Sequence, residues 1–221
     1  MEISPPFYII NVMKVAVIWD LDGTLLDSYD LIVDALYRIY KEKGVDISKQ
    51  EILEDAINES VSFFIKKMEK RFNVPFDDLK DRYSNITHTE IMSIKAMEHS
   101  KEILEYLKSK GVENYVFTHR GTTTETVLKN IGIYVYFLDF VTSVDDFKRK
   151  PDPEGLNYLV DKHHLDRNNT YYVGDRKLDI ECANNAHIKS IMFIPTSSPA
   201  KATGKEDYII KDLLDIKEII C

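Results

Sequence analysis

Two carboxylates one residue apart, Asp20 and Asp22, end the apolar run Val15-Ala16-Val17-Ile18-Trp19 and lead into Gly23-Thr24. A β-branched run closing in acids reads as a buried strand that delivers them at its carboxyl end. Side chains two apart project the same way while the chain stays extended. Carboxylates held that close repel, so one is neutralised by a proton or both by a cation. Gly23 permits a sharp turn, and Thr24 adds a hydroxyl and an amide just beyond. Such a place suits Mg²⁺ and phosphate. Further polar signals follow downstream: Thr118 after Tyr115-Val116-Phe117, Lys150 in Lys148-Arg149-Lys150-Pro151-Asp152-Pro153, and Gly174-Asp175 with Asp179 after Thr170-Tyr171-Tyr172-Val173. Each stands at or shortly after the end of a strand-like run, and in a parallel sheet these places converge on one crevice. Together they offer acidic metal ligands, a hydroxyl, a cation and a nucleophilic carboxylate. That is the inventory of phosphoryl transfer, in which catalysis is mainly positioning and charge neutralisation.

The elements that must position these groups alternate. Ser28 or Asp30 can cap a helix running to about Lys43 and stopping at Gly44, with Leu31, Ala35, Leu36, Ile39 and Tyr40 as its apolar stripe. Helical patterns follow at about 48–58, 60–72 and 77–93, with Ser48 and Glu51 at capping-box spacing and Pro75 breaking the chain between the last two. No convincing strand falls in this stretch, which reads as a helical bundle inserted into an α/β domain. Helices are then expected at Ser100–Lys110, Thr122–Asn130, Lys162 back to Asp152-Pro153 as N-cap and first turn, and Leu213–Ile220; strands are expected at 115–117, 140–142, 170–173 and 190–194. Strands alternating with helices imply a parallel sheet covered on both faces.

Composition frames the reading. The 221 residues carry a net charge of −8, with 44% hydrophobic and 30% charged residues, as in an ordinary globular protein. The acidic balance argues against non-specific binding to a nucleic-acid polymer or an anionic membrane, so a phosphate ligand requires a local cation, a helix amino end or a metal. Cys182 and Cys221 are the only cysteines, too few for a disulfide framework or a cysteine zinc site, and a reducing cytoplasm is the expected compartment. Phe7–Ile10 is too short for a signal core. Residues 1–12 read as an accessory arm or upstream extension, with Met13 as an alternative start.

In order and spacing, Asp20-x-Asp22-Gly23-Thr24, Thr118, Lys150-Pro151 and Gly174-Asp175-x-x-x-Asp179 resemble the haloacid dehalogenase-like superfamily, and within it the phosphoglycolate phosphatase-like and β-phosphoglucomutase-like branch. The resemblance covers about residues 14–215 and is weakest in the helical insert, which matches in position and helical character. It implies a Rossmann-like parallel sheet core with helices on both faces, residues 13–27 and 94–221, and an inserted α-helical bundle cap, residues 28–93, hinged near Leu26–Tyr29 and Met92–Met97. It also implies roles. Asp20 is the nucleophile that forms an aspartyl-phosphate; Asp22 is the acid and base, and its main-chain carbonyl joins Asp20, Asp175 and Asp179 around Mg²⁺. Thr118 bonds a phosphoryl oxygen, Lys150 neutralises charge, and Asp179 orients a metal-bound water or Lys150. The oxygen-only ligand set favours Mg²⁺ over zinc.

The chain departs from that pattern after Thr118, where relatives often have Asn and this sequence has His119-Arg120. Both can face substrate, and a guanidinium matches a carboxylate or a second phosphate in bidentate fashion. His187 stands where Ala-Gly-Ile is usual, at a place suited to positive φ. The resemblance implies a phosphatase acting on a small phosphorylated metabolite, as a monomer or homodimer. Asp22 argues against dehalogenation, and Gly23-Thr24 in place of Gly-Val tilts away from a phosphosugar mutase. A mutase and a non-catalytic phosphate-binding or signalling module are the alternatives.

Overall fold

The computed structural model describes residues 14–73 and 75–220. The expected arm at residues 1–12, the alternative start at Met13, and Cys221 lie outside the described residues. Strand β1 (Ala16–Trp19) is buried along its whole length because it occupies the middle of a parallel sheet. The sheet also contains β4 (Glu113–Phe117), β5 (Asp139–Val141), β6 (Thr170–Gly174), β7 (Lys189–Phe193) and β8 (Tyr208–Ile210), in the order β5-β4-β1-β6-β7-β8. Every pairing is parallel, with Trp19 opposite Val116 on one side and Val173 on the other.

The apolar run of β1 is continuous, yet its alternation still sorts side chains between two cores. Val17 and Trp19 join Val116, Val173 and Ile191 on one face; Ala16 and Ile18 join Tyr115, Phe117 and Tyr172 on the other. The buried indole of Trp19 donates to Asn114 Oδ1 at 2.9 Å, so its polar atom is satisfied. The first face is covered by α5 (Ser100–Ser109), through Ile103, Leu104 and Leu107, and by α6 (Thr124–Asn130), through Val127 and Leu128. On the second lie α7 (Glu154–Lys162), through Leu156 and Leu159, and α8 (Lys177–Asn185), through Cys182 and Ala183.

The helical insert has a core of its own. Helices α1 (Tyr29–Glu42), α2 (Lys49–Asn58), α3 (Val61–Phe72) and α4 (Phe76–Thr89) bury Leu36, Ile39, Tyr40, Ile52, Phe64, Met68 and Leu79 together. Tyr40 meets Phe64 edge to face at 5.5 Å. Ser48 Oγ accepts from Glu51 N at 3.1 Å and Ser60 Oγ from Phe63 N at 2.9 Å, which satisfies one exposed donor at each helix start. The other half of the expected box at Ser48 is absent: the Glu51 carboxylate pairs with Lys67 and Arg71 of α3 instead.

Several boundaries differ from expectation for local reasons. The last insert helix ends at Thr89, and a short 3-10 turn (Ile91–Ser93) completes the segment. The two linkers are strands β2 (Leu26–Asp27) and β3 (Lys95–Ala96), paired antiparallel in a two-residue ribbon that the apolar pattern is too short to reveal. Strand β8 was not expected; Tyr208 and Ile209 are exposed there, so only Ile210 carries a core signal. Helix α7 starts one residue after Pro153, with Asp152 Oδ1 accepting from Glu154 N at 3.1 Å. The closing segment divides into a 3-10 turn (Leu213–Ile216) and α9 (Lys217–Ile220). Ser28 precedes α1 without a side-chain cap bond. His187 does adopt φ 54°, the left-handed backbone read from its position.

Candidate active site

Strands β1, β4 and β6 are adjacent, so their carboxyl ends bring Asp20, Thr118 and Asp175 to one edge of the sheet. The Asp20 amide donates to Val173 O at 2.8 Å, continuing the ladder one residue past β1. Beyond it the chain stops being extended. The amides of Thr24, Leu25 and Leu26 all point at Leu21 O, and Gly23 turns at φ 81°. A β-carbon on Gly23 would lie 2.3 Å from the Tyr29 ring and 2.4 Å from Asp175 Oδ2, so glycine is required there twice over.

This turn overrides the expectation that Asp20 and Asp22 point the same way. Asp20 Oδ1 accepts from Lys150 Nζ at 2.6 Å, whereas Asp22 pairs with the guanidinium of Arg120. The carboxylates that gather are those of Asp20, Asp175 and Asp179, each offering an oxygen within 4.8 Å of the others.

Lys150 is buried and held by two carboxylates, Asp20 at 2.6 Å and Asp179 Oδ1 at 2.8 Å. Its ammonium also lies over the rings of Phe117 and Tyr172, at 5.1 and 5.3 Å from their centroids. Burial works to discharge it, but the flanking carboxylates hold its pKa above the usual lysine value. Of the Lys148-Arg149-Lys150 run, only Lys150 turns inward. The His119 ring reaches that loop from β4: Nε2 accepts the Lys150 amide at 2.9 Å, and burial beside Lys150 and Arg149 lowers the imidazole to about 3. His119 is therefore a neutral acceptor that seats the lysine-bearing loop.

Both oxygens of Asp179 have partners. Its Oδ1 accepts from Lys150 and, at 3.2 Å, from the Tyr172 hydroxyl; its Oδ2 accepts from the Arg176 amide at 3.1 Å. Gly174 makes the close approach possible, since a β-carbon there would meet Asp179 at 2.4 Å. Asp20 and Asp175 differ in having spare capacity. Asp20 Oδ2 and Asp175 Oδ1 are buried and without a hydrogen-bond partner. Burial lifts the Asp20 carboxyl to about 6 against the pull of Lys150, and the Asp175 carboxyl to about 8 against the pull of Arg176. Two buried carboxylate oxygens without partners are costly unless a proton or a cation takes them. The donor set is oxygen only, so the residues present fit Mg²⁺.

Thr118 is buried beside these groups, and its hydroxyl oxygen accepts from the Arg120 amide at 3.1 Å, which leaves its proton free to donate. Asp22 and Arg120 sit across a second part of the site, their side chains 26% and 11% exposed. Burial works to raise Asp22, but the guanidinium outweighs it and holds the carboxyl below its ordinary value. Their pair lines a cavity of about 300 Å³ under α1 and α4, together with Ser28, Tyr83 and Thr87. A separate cavity of about 410 Å³ reaches Asp175 from the side of the β2–β3 ribbon, past Tyr29 and Met97.

Three contributors were not read from sequence. The Tyr29 hydroxyl donates to Asp175 Oδ2 at 2.7 Å. The Tyr172 hydroxyl bridges Asp179 and Phe117 O, at 3.2 and 3.0 Å. Arg176 is a cation beside Asp20, Asp175, Asp179 and Tyr29, held fully charged by those carboxylates although burial opposes it. The one available signal was adjacency: Arg176 follows Asp175 directly, and Tyr29 is the second residue of the insert.

A parallel sheet covered on both faces, a helical insert over its carboxyl edge, and an aspartate–lysine cluster beneath that insert define a capped Rossmann-like α/β enzyme. Residues 17–193 match the haloacid dehalogenase-like hydrolase family, and the chain belongs to it. Among similar proteins, a phosphoglycolate phosphatase of Vibrio vulnificus is 32% identical over 224 residues, covering 91% of this chain and 94% of that protein. The pyrophosphatase PpaX of Oceanobacillus iheyensis is 27% identical over 207 residues, covering 92% and 95%. The crystal structure of a predicted phosphoglycolate phosphatase from Haemophilus somnus superposes with a TM-score of 0.82 at 23% identity, covering 94% of this chain and 98% of that one. Among the described residues, no helix is long and apolar enough to cross a membrane.

Proposed function

We propose that the chain is a Mg²⁺-dependent phosphatase that hydrolyses a small phosphorylated metabolite through a phosphoryl group carried on Asp20. The observation that carries this reading is the state of Asp20: one oxygen is fixed by Lys150, the other is buried and unpartnered, and Asp175, which also has an unpartnered oxygen, offers an oxygen within 4.8 Å of one from Asp20. Mg²⁺ held by Asp20, Asp175 and the main-chain carbonyl of Asp22 would supply the positive charge that lets a carboxylate approach a phosphate.

The residues then divide the work. An Asp20 oxygen attacks phosphorus as the bond to the leaving oxygen breaks. Lys150 and the Thr118 hydroxyl take charge on the phosphoryl oxygens. Asp22 gives its proton to the leaving oxygen, then takes one from the water that attacks the phosphorylated Asp20. While protonated, Asp22 has no charge to offer Arg120, so the guanidinium is available while the leaving group is held. Asp179, fixed by Lys150, Tyr172 and the Arg176 amide, keeps the ammonium in place. The insert, residues 28–93, acts as a cap that excludes bulk water and chooses the substrate. The similarity to a phosphoglycolate phosphatase and to the pyrophosphatase PpaX supports phosphate cleavage as the reaction.

The test is phosphate release from a panel of small phosphate esters and pyrophosphate, with Mg²⁺ or with EDTA, for wild type and Asp20→Asn. Turnover that requires Mg²⁺ and disappears in Asp20→Asn is expected. Turnover that survives Asp20→Asn would reject Asp20 as the nucleophile.

A further inference from the structure

We propose that Arg120 determines specificity by binding an anionic group, a carboxylate or a second phosphoryl, on the leaving part of the substrate. The inference rests on the phosphatase reading and narrows its substrate class.

If Asp22 hands its proton to the leaving oxygen, the leaving group lies in the cavity that Asp22 lines. That cavity is closed by the cap: Ser28, Leu31 and Ile32 come from the start of the insert, Tyr83, Ser84 and Thr87 from α4, and His119-Arg120-Gly121 from the loop after β4. Its walls hold one permanent cation, Arg120, and one carboxyl, Asp22. His119 faces it as a neutral ring, because burial keeps the imidazole unprotonated.

The guanidinium is only partly used. One terminal nitrogen goes to Asp22 and the other to Thr123 Oγ1 at 3.4 Å, a long contact, while Nε is buried with no partner. That buried guanidinium donor is costly as it stands. It is satisfied by an acceptor with several oxygens and negative charge, and a planar guanidinium matches such an anion in bidentate fashion. A neutral alkyl leaving group would not satisfy it. A carboxylate and a phosphoryl share this chemistry, and the cavity's apolar walls, Leu31, Ile32 and Ile94, restrict the group to a compact one.

The experiment compares kcat/KM for phosphoglycolate and for pyrophosphate against ethyl phosphate, which lacks the second anion, in wild type, Arg120→Met and Arg120→Lys. Para-nitrophenyl phosphate, whose leaving group needs no protonation, reports the chemistry independently. Wild type is expected to prefer at least one anionic substrate by about tenfold to 100-fold, the range of a charge-assisted pair. Arg120→Met should collapse that ratio towards one, and Arg120→Lys should restore part of it. The preferred arm identifies carboxylate or phosphoryl. A wild-type ratio near one, or a ratio unchanged in Arg120→Met, overturns the proposal while turnover of para-nitrophenyl phosphate keeps the phosphatase reading intact. Wild type that cleaves none of the four compounds with Mg²⁺ rejects both.

Discussion

The Tyr29 hydroxyl donates to Asp175 Oδ2 at 2.7 Å across 146 residues of sequence, tying the first residue of α1 to a carboxylate of the proposed metal site. Tyr29 stands two residues past the β2 strand of the linker ribbon, so the start of α1 and the orientation of the carboxylate are set together. A hydrogen bond that orients a metal-binding carboxylate is worth roughly 10-fold to 100-fold in metal affinity. Tyr29→Phe should therefore raise the Mg²⁺ concentration at half-maximal thermal stabilisation by about tenfold. A titration of melting temperature against Mg²⁺ checks this without relying on turnover.

Lys150 lies between two buried carboxylates and pairs with both. Removing one partner of a buried ion pair costs about 3–5 kcal/mol, because the remaining charge is left unpaired in a dry site. Lys150→Met should lose stability of that order in urea denaturation. The double variant Lys150→Met with Asp179→Asn should recover part of the loss, since it also removes one stranded carboxylate.

Asp20 and Asp175 have carboxyls raised to about 6 and about 8, against an ordinary value of 3.8. A raised folded value means that the folded chain holds its protons more tightly than the unfolded chain. The associated stability is fully present below about pH 4 and is lost as pH rises through about 6 and then about 8. A divalent cation offsets the loss by pairing with the ionised forms. The melting-temperature gain from Mg²⁺ over EDTA should accordingly grow from pH 5 to pH 9; a gain independent of pH would contradict this electrostatic account.

His119 carries the opposite sign. Its imidazole is lowered to about 3 from 6.5, so the folded chain holds it neutral while the unfolded chain protonates it. The stability it contributes is present above pH 6.5 and is lost as pH falls towards 3. Gln at this position can present an oxygen acceptor to the Lys150 amide without titrating. His119→Gln should therefore lose less melting temperature than wild type between pH 7 and pH 4, which a thermal-melt series measures directly.

Much of the site was legible because a parallel sheet converts local pattern into place. Asp20, Thr118 and Asp175 each end a buried apolar run, and adjacent parallel strands bring such ends to one edge whatever the intervening chain does. Lys150 and Asp179 were legible only through the motif order that the family resemblance supplies, and the two meet at that edge. The helical insert was legible for a similar reason: its apolar stripes recur at helical spacing and close a separate core. What local pattern does not encode is the direction a side chain takes after the strand ends, or which distant groups meet it. The turn at Gly23 swings Asp22 away from Asp20 to Arg120, 98 residues on, and places Tyr29 against Asp175. Arg176 and Tyr172 enter the cluster only because β6 and α8 pack tightly enough for Gly174 to touch Asp179. The sequence by itself thus determined the acid, hydroxyl and lysine inventory and the sheet edge that collects it. The tertiary structure alone decided the pairing: which carboxylate oxygens are saturated and which stand free, because that depends on turn geometry and on packing between cap and core.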